Sequence, residues 1–400
     1  MNILFLCNKS PYPPKEGGPI AMNVNIKGLT EAGHKVKVVA LNTNKYFVNP
    51  DEIPEKYKKE TGIEFVYVDL SIKPLDAFFN LFSDKSYHVE RFVSDDVNKK
   101  LIQILKENRF DIVQLEMLYM APYLETIRRH SDAKIILRAH NIEYLIWERI
   151  TSVTKNPLKK QYLVTLTRKL RNYELSVMDK FDGIATITAK DAEFFRKAGC
   201  RIPLTDIPFG IDINNYKPEY TAKDEVSLFH LGSMNWMPNE EGVRWFLDNA
   251  WPEIHKANPN LKFYLAGRMM PGWLINLKIN NVEVVGEVDD ATKFINEKGI
   301  MIVPLLSGSG IRIKIIEGMA LGKTIISTTI GAEGINYKKG RDILIADTPE
   351  EFHKAVSQCI NDKDYCSSIG RNARKLIEND HNIKKIIDKL IRFYNKVIEK

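Results

Sequence analysis

The stretch that most constrains this chain is residues 299–335, GIMIVPLLSGSGIRIKIIEGMALGKTIISTTIGAEGI. Residues 299–305 are apolar and branched, the pattern of a strand buried on both faces of a parallel sheet. Ser307-Gly308-Ser309-Gly310 follows, a loop whose glycines let backbone approach a ligand closely. The spacing of Ile315, Ile316, Met319 and Ala320 predicts a helix to about Leu321, with Gly322 placed to cap it. Residues 323–329 read as the next buried strand. Strand, glycine loop, helix and strand in that order dictate an α/β fold with a parallel sheet.

Chemistry is expected where loop becomes helix. Unpaired N–H groups and the dipole at a helix start favour a phosphate. Arg312 and Lys314 add two cations, and Glu317 falls three residues after Lys314 on the same face. A carboxylate there can accept hydrogen bonds from two ribose hydroxyls. Phosphate donors followed by a ribose acceptor describe a nucleoside diphosphate pocket. An ordinary glycine turn with a surface Lys314–Glu317 ion pair is the alternative, and these residues alone do not choose between them.

The segment SGSGIRIKIIEGMALGKTIISTTIGAEGI resembles the donor site of GT-B sugar-nucleotide glycosyltransferases, of the glycosyltransferase family 4 type. The opening NILFLCNKSPYPPKEGG, RAHNIEYLIWERI, IPFGID and LGSMNWMPNEEGVRWF resemble it too, in the expected order over nearly the whole length. The resemblance implies two Rossmann-like doubly wound domains facing a central cleft. Residues 1–211 would form the acceptor-side domain, 212–225 a linker, 226–383 the donor-binding domain, and 384–400 a helix crossing back to the first. It implies a hexosyltransferase, retaining and metal-independent, that uses a nucleoside diphosphate-sugar as co-substrate and no other cofactor. The acceptor would be a glycan or lipid-linked glycan in cell-surface polysaccharide assembly. Two other readings are a nucleotide-sugar epimerase or hydrolase on the same architecture, and a non-catalytic sugar-binding protein.

Composition bounds these readings. Four hundred residues exceed what one core usually holds. Hydrophobic content of 44% and charged content of 27% suit a globular protein, and no apolar run reaches the ~18 residues of a membrane span. MNILFLCNK reads as a buried strand, not an export signal. Cys7, Cys200, Cys359 and Cys366 lack metal-ligand spacing and read as free thiols, so a cytoplasmic protein is expected. A net charge of +7 permits peripheral contact with an anionic inner membrane face. Scattered basic residues give no nucleic-acid reading element.

Along the chain, strands are expected at residues 2–7, 35–41, 64–70, 111–116, 134–139, 182–188 and 205–211. A second series is expected at 226–231, 261–266, 282–286, 299–305, 323–329 and 342–346. Only Gly17-Gly18 stands where a nicotinamide enzyme would carry G-x-G-x-x-G. The resemblance implies that Gly17 and Gly18 border the cleft. Phe78, Phe79, Phe82, Tyr87 and Phe92 lie in a stretch without strand alternation. Core packing is the expected fate, and a lip toward membrane or acceptor the alternative. The helix-compatible, basic residues 155–180 are expected to be a solvated face, with an anionic-lipid surface as the alternative.

His140 ends a strand, where doubly wound sheets bind ligands. The resemblance puts it at the family's active-site histidine, with Glu143 a second acceptor-side candidate. Gly286-Glu287-Val288 would line the base pocket around Val288, and Arg268 is a further candidate cation. The sequence departs from the family pattern twice. The usual donor site has two glutamates with seven residues between them; here Ser309 and Glu317 take those positions. The usual Arg and Lys after the first strand of the second domain are replaced by Gly232-Ser233-Met234-Asn235-Trp236. A pyrophosphate leaving group needs positive charge, so Arg312 and Lys314 are expected to supply it. Asp362-Lys363-Asp364 reads as a solvated turn and not a metal site.

Overall fold

A computed structural model describes residues 1–14, 17–219, 226–308 and 310–400. The chain divides into two compact units, one of residues 1–210 and 386–400, the other of residues 211–385.

The first unit holds a seven-stranded parallel sheet: β1 (Asn2–Cys7), β2 (Lys35–Thr43), β3 (Glu64–Val68), β4 (Ile112–Glu116), β5 (Lys134–Ala139), β6 (Gly183–Thr186) and β7 (Leu204–Asp206). Their order across the sheet is β3-β2-β1-β4-β5-β6-β7. Central β1 is buried from Ile3 to Cys7, as expected for a strand with helices on both faces. β3, at the edge, leaves Tyr67 exposed. Strands run outward in opposite directions from β1 and β4, so the sheet's topological switch point lies between them. The helix Gly17–Glu31 follows β1.

The final helix, Ile383–Ile398, packs into this unit from Ile386 onward. A Cβ on Gly28 would fall 2.5 Å from Ile387, and one on Gly183 2.9 Å from Phe393. Both glycines are therefore contact points for that helix. The Tyr394 hydroxyl, buried, donates to Gln114 in β4.

The second unit holds a six-stranded parallel sheet: β8 (Ser227–Leu231), β9 (Lys262–Ala266), β10 (Val282–Gly286), β11 (Ile300–Val303), β12 (Ile325–Ser327) and β13 (Leu344–Ile345). The order β10-β9-β8-β11-β12-β13 puts its switch point between β8 and β11. The helix Ile313–Ala320 buries Ile315, Ile316 and Met319 against this sheet. Gly318 permits the close approach, because a Cβ there would lie 2.9 Å from Ile325 and from the Met301 sulfur. Gly322, at φ 69°, ends that helix as the sequence predicts. Residues 220–225 of the expected linker lie outside the described residues.

One expectation is corrected. Phe78, Phe79 and Phe82 are not core: they are 55%, 65% and 79% exposed, while Tyr87 is buried and Phe92 packs partly against the first core. The helix that carries two of them, Pro74–Asn80, has seven residues and turns its aromatic rings toward one another, not into the sheet.

Candidate functional site

In the second unit the switch point brings the loop after β8 beside the loop after β11. The latter bends through Gly308 and Gly310, at φ 107° and 80°, values that favour glycine. A Cβ on Gly308 would sit 2.9 Å from the Arg312 guanidinium and 3.2 Å from the Trp236 ring. Arg312 is 6% exposed; its Nη1 donates to the Gly310 carbonyl at 2.7 Å, and Cζ lies 5.2 Å from the Trp236 ring centroid. The loop and the aromatic face thus hold the guanidinium at the start of the helix Ile313–Ala320. Ser309 lies outside the described residues.

Lys314 crosses the switch point. Its ammonium donates to Asn239 Oδ1 at 2.7 Å and to His230 Nε2 at 3.2 Å. His230 Nδ1 is 2.8 Å from the Ile302 carbonyl, which fixes the proton on Nδ1 and leaves Nε2 to accept. Burial, then the charge on Lys314, push His230 well below its ordinary range, so it is a neutral acceptor. Burial and then Arg312 push Lys314 down to about 7. A Cβ on Gly232 would meet the Lys314 ammonium at 2.8 Å. The second-domain loop that lacks the family's usual Arg and Lys therefore receives a cation from the helix after β11.

Glu317 is engaged elsewhere. The Tyr216 hydroxyl donates to its Oε1 at 2.9 Å, and burial raises its pKa. Lys314 and Glu317 therefore take separate partners and are not the surface ion pair of the simpler reading. Arg268 pairs with Glu287 at 3.1 Å on an exposed surface. Beside them a cavity of about 300 Å³ is lined by Gly267, Met269, Met270, Ile275, Val284 and Gly286, together with Glu287. Val288 is half-buried and not among its lining residues.

In the first unit His140 and Glu116 end neighbouring strands. His140 Nε2 stands 2.5 Å from Glu116 Oε2, and Gln114 Nε2 donates to Glu116 Oε1 at 2.6 Å. With Tyr394 donating to Gln114, a buried relay runs from the last helix to His140. Glu116 so positions the imidazole, leaving Nδ1 as the other ring nitrogen. Gly17 and Gly18 open the helix after β1; the Lys9 side chain lies 3.3 Å from where a Cβ on Gly18 would be, and a Cβ on Gly17 would meet nothing within 4 Å.

Glu143 opens the helix Glu143–Val153 and is 4% exposed. Tyr119 donates to its Oε2 at 2.7 Å, and its buried Oε1 has no hydrogen-bond partner among the described residues. Burial raises Glu143 to about 7. The adjacent Glu174 carboxylate accepts the Glu143 and Tyr144 N–H groups at 3.0 Å each, capping that helix from a neighbouring one. Burial lifts Glu174 to about 8 despite these bonds. Arg138 of the RAHNIE segment is structural: fully buried, it donates to the Thr186 and Ile207 carbonyls at 2.6 and 2.5 Å.

Sequence reading missed Glu116, Asn239, His230, Trp236 and Tyr216. Asn239 and Trp236 lie inside the LGSMNWMPNEEG motif, which was the available signal. Among the described residues, no three or more His, Cys, Asp or Glu are grouped to hold a metal. Asp362 caps the helix Lys363–Asp380 through the Tyr365 N–H at 2.8 Å.

Residues 225–362 match the family model for Glycosyl transferases group 1. The chain is 22% identical to the "Uncharacterized 44.6 kDa protein in cps region" of Klebsiella pneumoniae, over 98% of this chain and 99% of that one. Among solved structures it is similar to a sucrose-phosphate synthase from Thermosynechococcus elongatus, with TM-score 0.70, 14% identity and complete coverage of both chains. It is also similar to Anabaena HepE in complex with UDP, with TM-score 0.67 and 13% identity over 99% of this chain and 100% of that one. The chain therefore has the GT-B fold, and its residues 225–362 are similar to the glycosyl transferases group 1 family.

Proposed function

We propose that the protein transfers a hexose from a nucleoside diphosphate-sugar to a hydroxyl of a glycan or lipid-linked glycan. The observation that carries this reading is the pairing of Arg312 and Lys314 at the switch point of the second unit, with Glu317 one turn behind. Two adjacent cations, one with its ordinary charge suppressed, are a costly arrangement that a bound diphosphate relieves. Arg312 and Lys314 would neutralise the leaving pyrophosphate without a metal, and Gly308, Ser309 and Gly310 would supply amides. Glu317 would take the ribose in exchange for the Tyr216 hydroxyl, and Gly286-Glu287-Val288 the base. Arg268 would remain an outer cation.

In the first unit Gly17 and Gly18 would face substrate, and His140, held by Glu116, would bind or orient the acceptor with Glu143. Retention of anomeric configuration is the reading the resemblance favours. HepE in complex with UDP supports UDP as the first nucleotide to try. The likeness to a protein of a cps region supports a role in cell-surface polysaccharide, on the cytoplasmic side and in peripheral contact with an anionic membrane.

The test is thermal melting of the protein with UDP, GDP, ADP and TDP, followed by donor turnover with and without a glycan acceptor. A ligand that binds only the native state raises the melting temperature, by an amount set by its concentration relative to Kd. One nucleotide should do so, and turnover should require the acceptor. Rapid turnover with no acceptor would make the protein a hydrolase or epimerase. Sugar binding with no nucleotide effect would make it a binding protein.

A further inference from the structure

One face of the first unit has no role in the site just described. The helix Pro74–Asn80 and its flanks present Ile72, Leu75, Phe78, Phe79 and Phe82, all more than half exposed. Phe78 lies edge-on to Phe79 and Phe82, with ring centroids 5.9 and 5.5 Å apart, so the three rings form one continuous ridge. Isolated exposed apolar side chains are ordinary, but a cluster of this size marks a surface that meets something apolar.

A basic segment lies next to it in the fold. The helix Pro157–Val177 lies against the same segment: Lys169 donates to the Asn80 and Leu81 carbonyls at 2.5 and 3.2 Å, and Tyr87 packs with Leu166 and Tyr162. One turn before Tyr162 stands Leu158, 83% exposed, and Val153, the last residue of the preceding helix Glu143–Val153, is 76% exposed. Lys155, Lys159 and Lys160 alternate with them and are exposed. From Arg149 through Arg171 the sequence contains no Asp or Glu. Asp76 and Asp84 are balanced in number by Lys73 and Lys85 on the ridge segment itself.

From these observations we infer that the aromatic ridge of residues 72–82 and the basic turn of residues 153–160 dock the protein on an anionic lipid bilayer. The inference rests on the peripheral-membrane part of the function proposed above and assigns the surface that makes the contact. Aromatic and leucine side chains enter the headgroup region, while lysines on long apolar stems reach the phosphates around them. Basic residues close to such a surface bind it electrostatically, with an affinity that salt screens. A second copy of this chain is the poorer occupant. Asp76 and Asp84 are already matched in number by Lys73 and Lys85, so a second copy offers no surplus of carboxylates to answer the cationic turn.

The experiment is co-sedimentation of the full chain with vesicles of phosphatidylcholine alone or with one third phosphatidylglycerol, at low and high salt. Binding is expected only to the anionic vesicles and should weaken as salt rises. K155Q/K159Q/K160Q should weaken it about a hundredfold at low salt. F78S/F79S/F82S should weaken it at least tenfold at every salt concentration. These side chains are exposed, so both variants should keep the wild-type circular dichroism and nucleotide-dependent melting shift. Equal binding by the phenylalanine variant and wild type would overturn the inference, as would binding to neither vesicle. A concentration-dependent dimer that the same variant dissolves would assign the ridge to self-association and overturn it too. Vesicle binding is read without donor or acceptor, so its failure is distinct from a failure of the transferase reading.

Discussion

At the switch point of the second unit, an ammonium and a guanidinium stand near one another, and the ammonium's partners are a neutral amide and a neutral imidazole. At that of the first unit the ionisable groups are Glu116, His140 and Glu143, buried and tied into hydrogen bonds with Gln114 and Tyr119. The two sheets follow the same topological rule, yet one switch point buries Arg312 and Lys314 and the other Glu116 and Glu143. The difference teaches that the fold supplies a place and the residues decide what can occupy it. The second unit gathers two basic side chains at its switch point. The first holds a preset arrangement suited to hydroxyls and protons.

The largest effect expected from disturbing this contrast is at Arg312. In the proposed transfer R312A would remove a charged donor at the developing pyrophosphate, and it should lower kcat/KM about 10²- to 10³-fold. The folded fraction and circular dichroism should stay native, and steady-state kinetics with a saturating acceptor give the check. Unchanged turnover would show that the charge difference between the units has no part in the reaction.

Next comes Glu116. E116Q keeps the shape of the relay but replaces the anion facing His140, costing a charge-assisted hydrogen bond. A fall in kcat of about 10- to 100-fold is expected, with the donor KM unchanged. Because Glu116 acts through His140, the double variant with H140A should be no slower than H140A alone. An additive loss would remove Glu116 from its positioning role.

The smallest effect is the most specific to the second unit. Lys314, lowered to about 7 in the free protein, regains its proton when a diphosphate binds. Proton uptake therefore accompanies nucleotide binding at pH 8, and affinity falls as pH rises above about 7, by at most about tenfold per unit. Titration calorimetry in buffers of different ionisation enthalpy measures the uptake. K314M should abolish both the uptake and the pH dependence.

Much of this architecture was legible in the residues. The buried strands, the glycine bend before Arg312 and the cap at Gly322 are local properties, and period and turn chemistry reveal them. The partners of Lys314 were not legible, because Asn239 and His230 are brought to it by sheet order, across scores of residues. Glu116 was hidden for another reason. It sits in IVQLE, where every side chain is buried, so no alternation distinguishes it from core. Phe78, Phe79 and Phe82 misled because hydrophobicity predicts burial only on average, and nothing local in the sequence marks these rings as exposed.

The return of the last helix to the first unit also bears on how the molecule is made. During synthesis residues 1–210 emerge long before Ile387, Phe393 and Val397, which cover Gly28 and Gly183, and before Tyr394, which reaches Gln114. The second unit is one uninterrupted segment and can finish folding first, so the unit that starts the chain is the last to be sealed. Until that happens an apolar furrow along its sheet stays open, a natural handle for a chaperone on the ribosome.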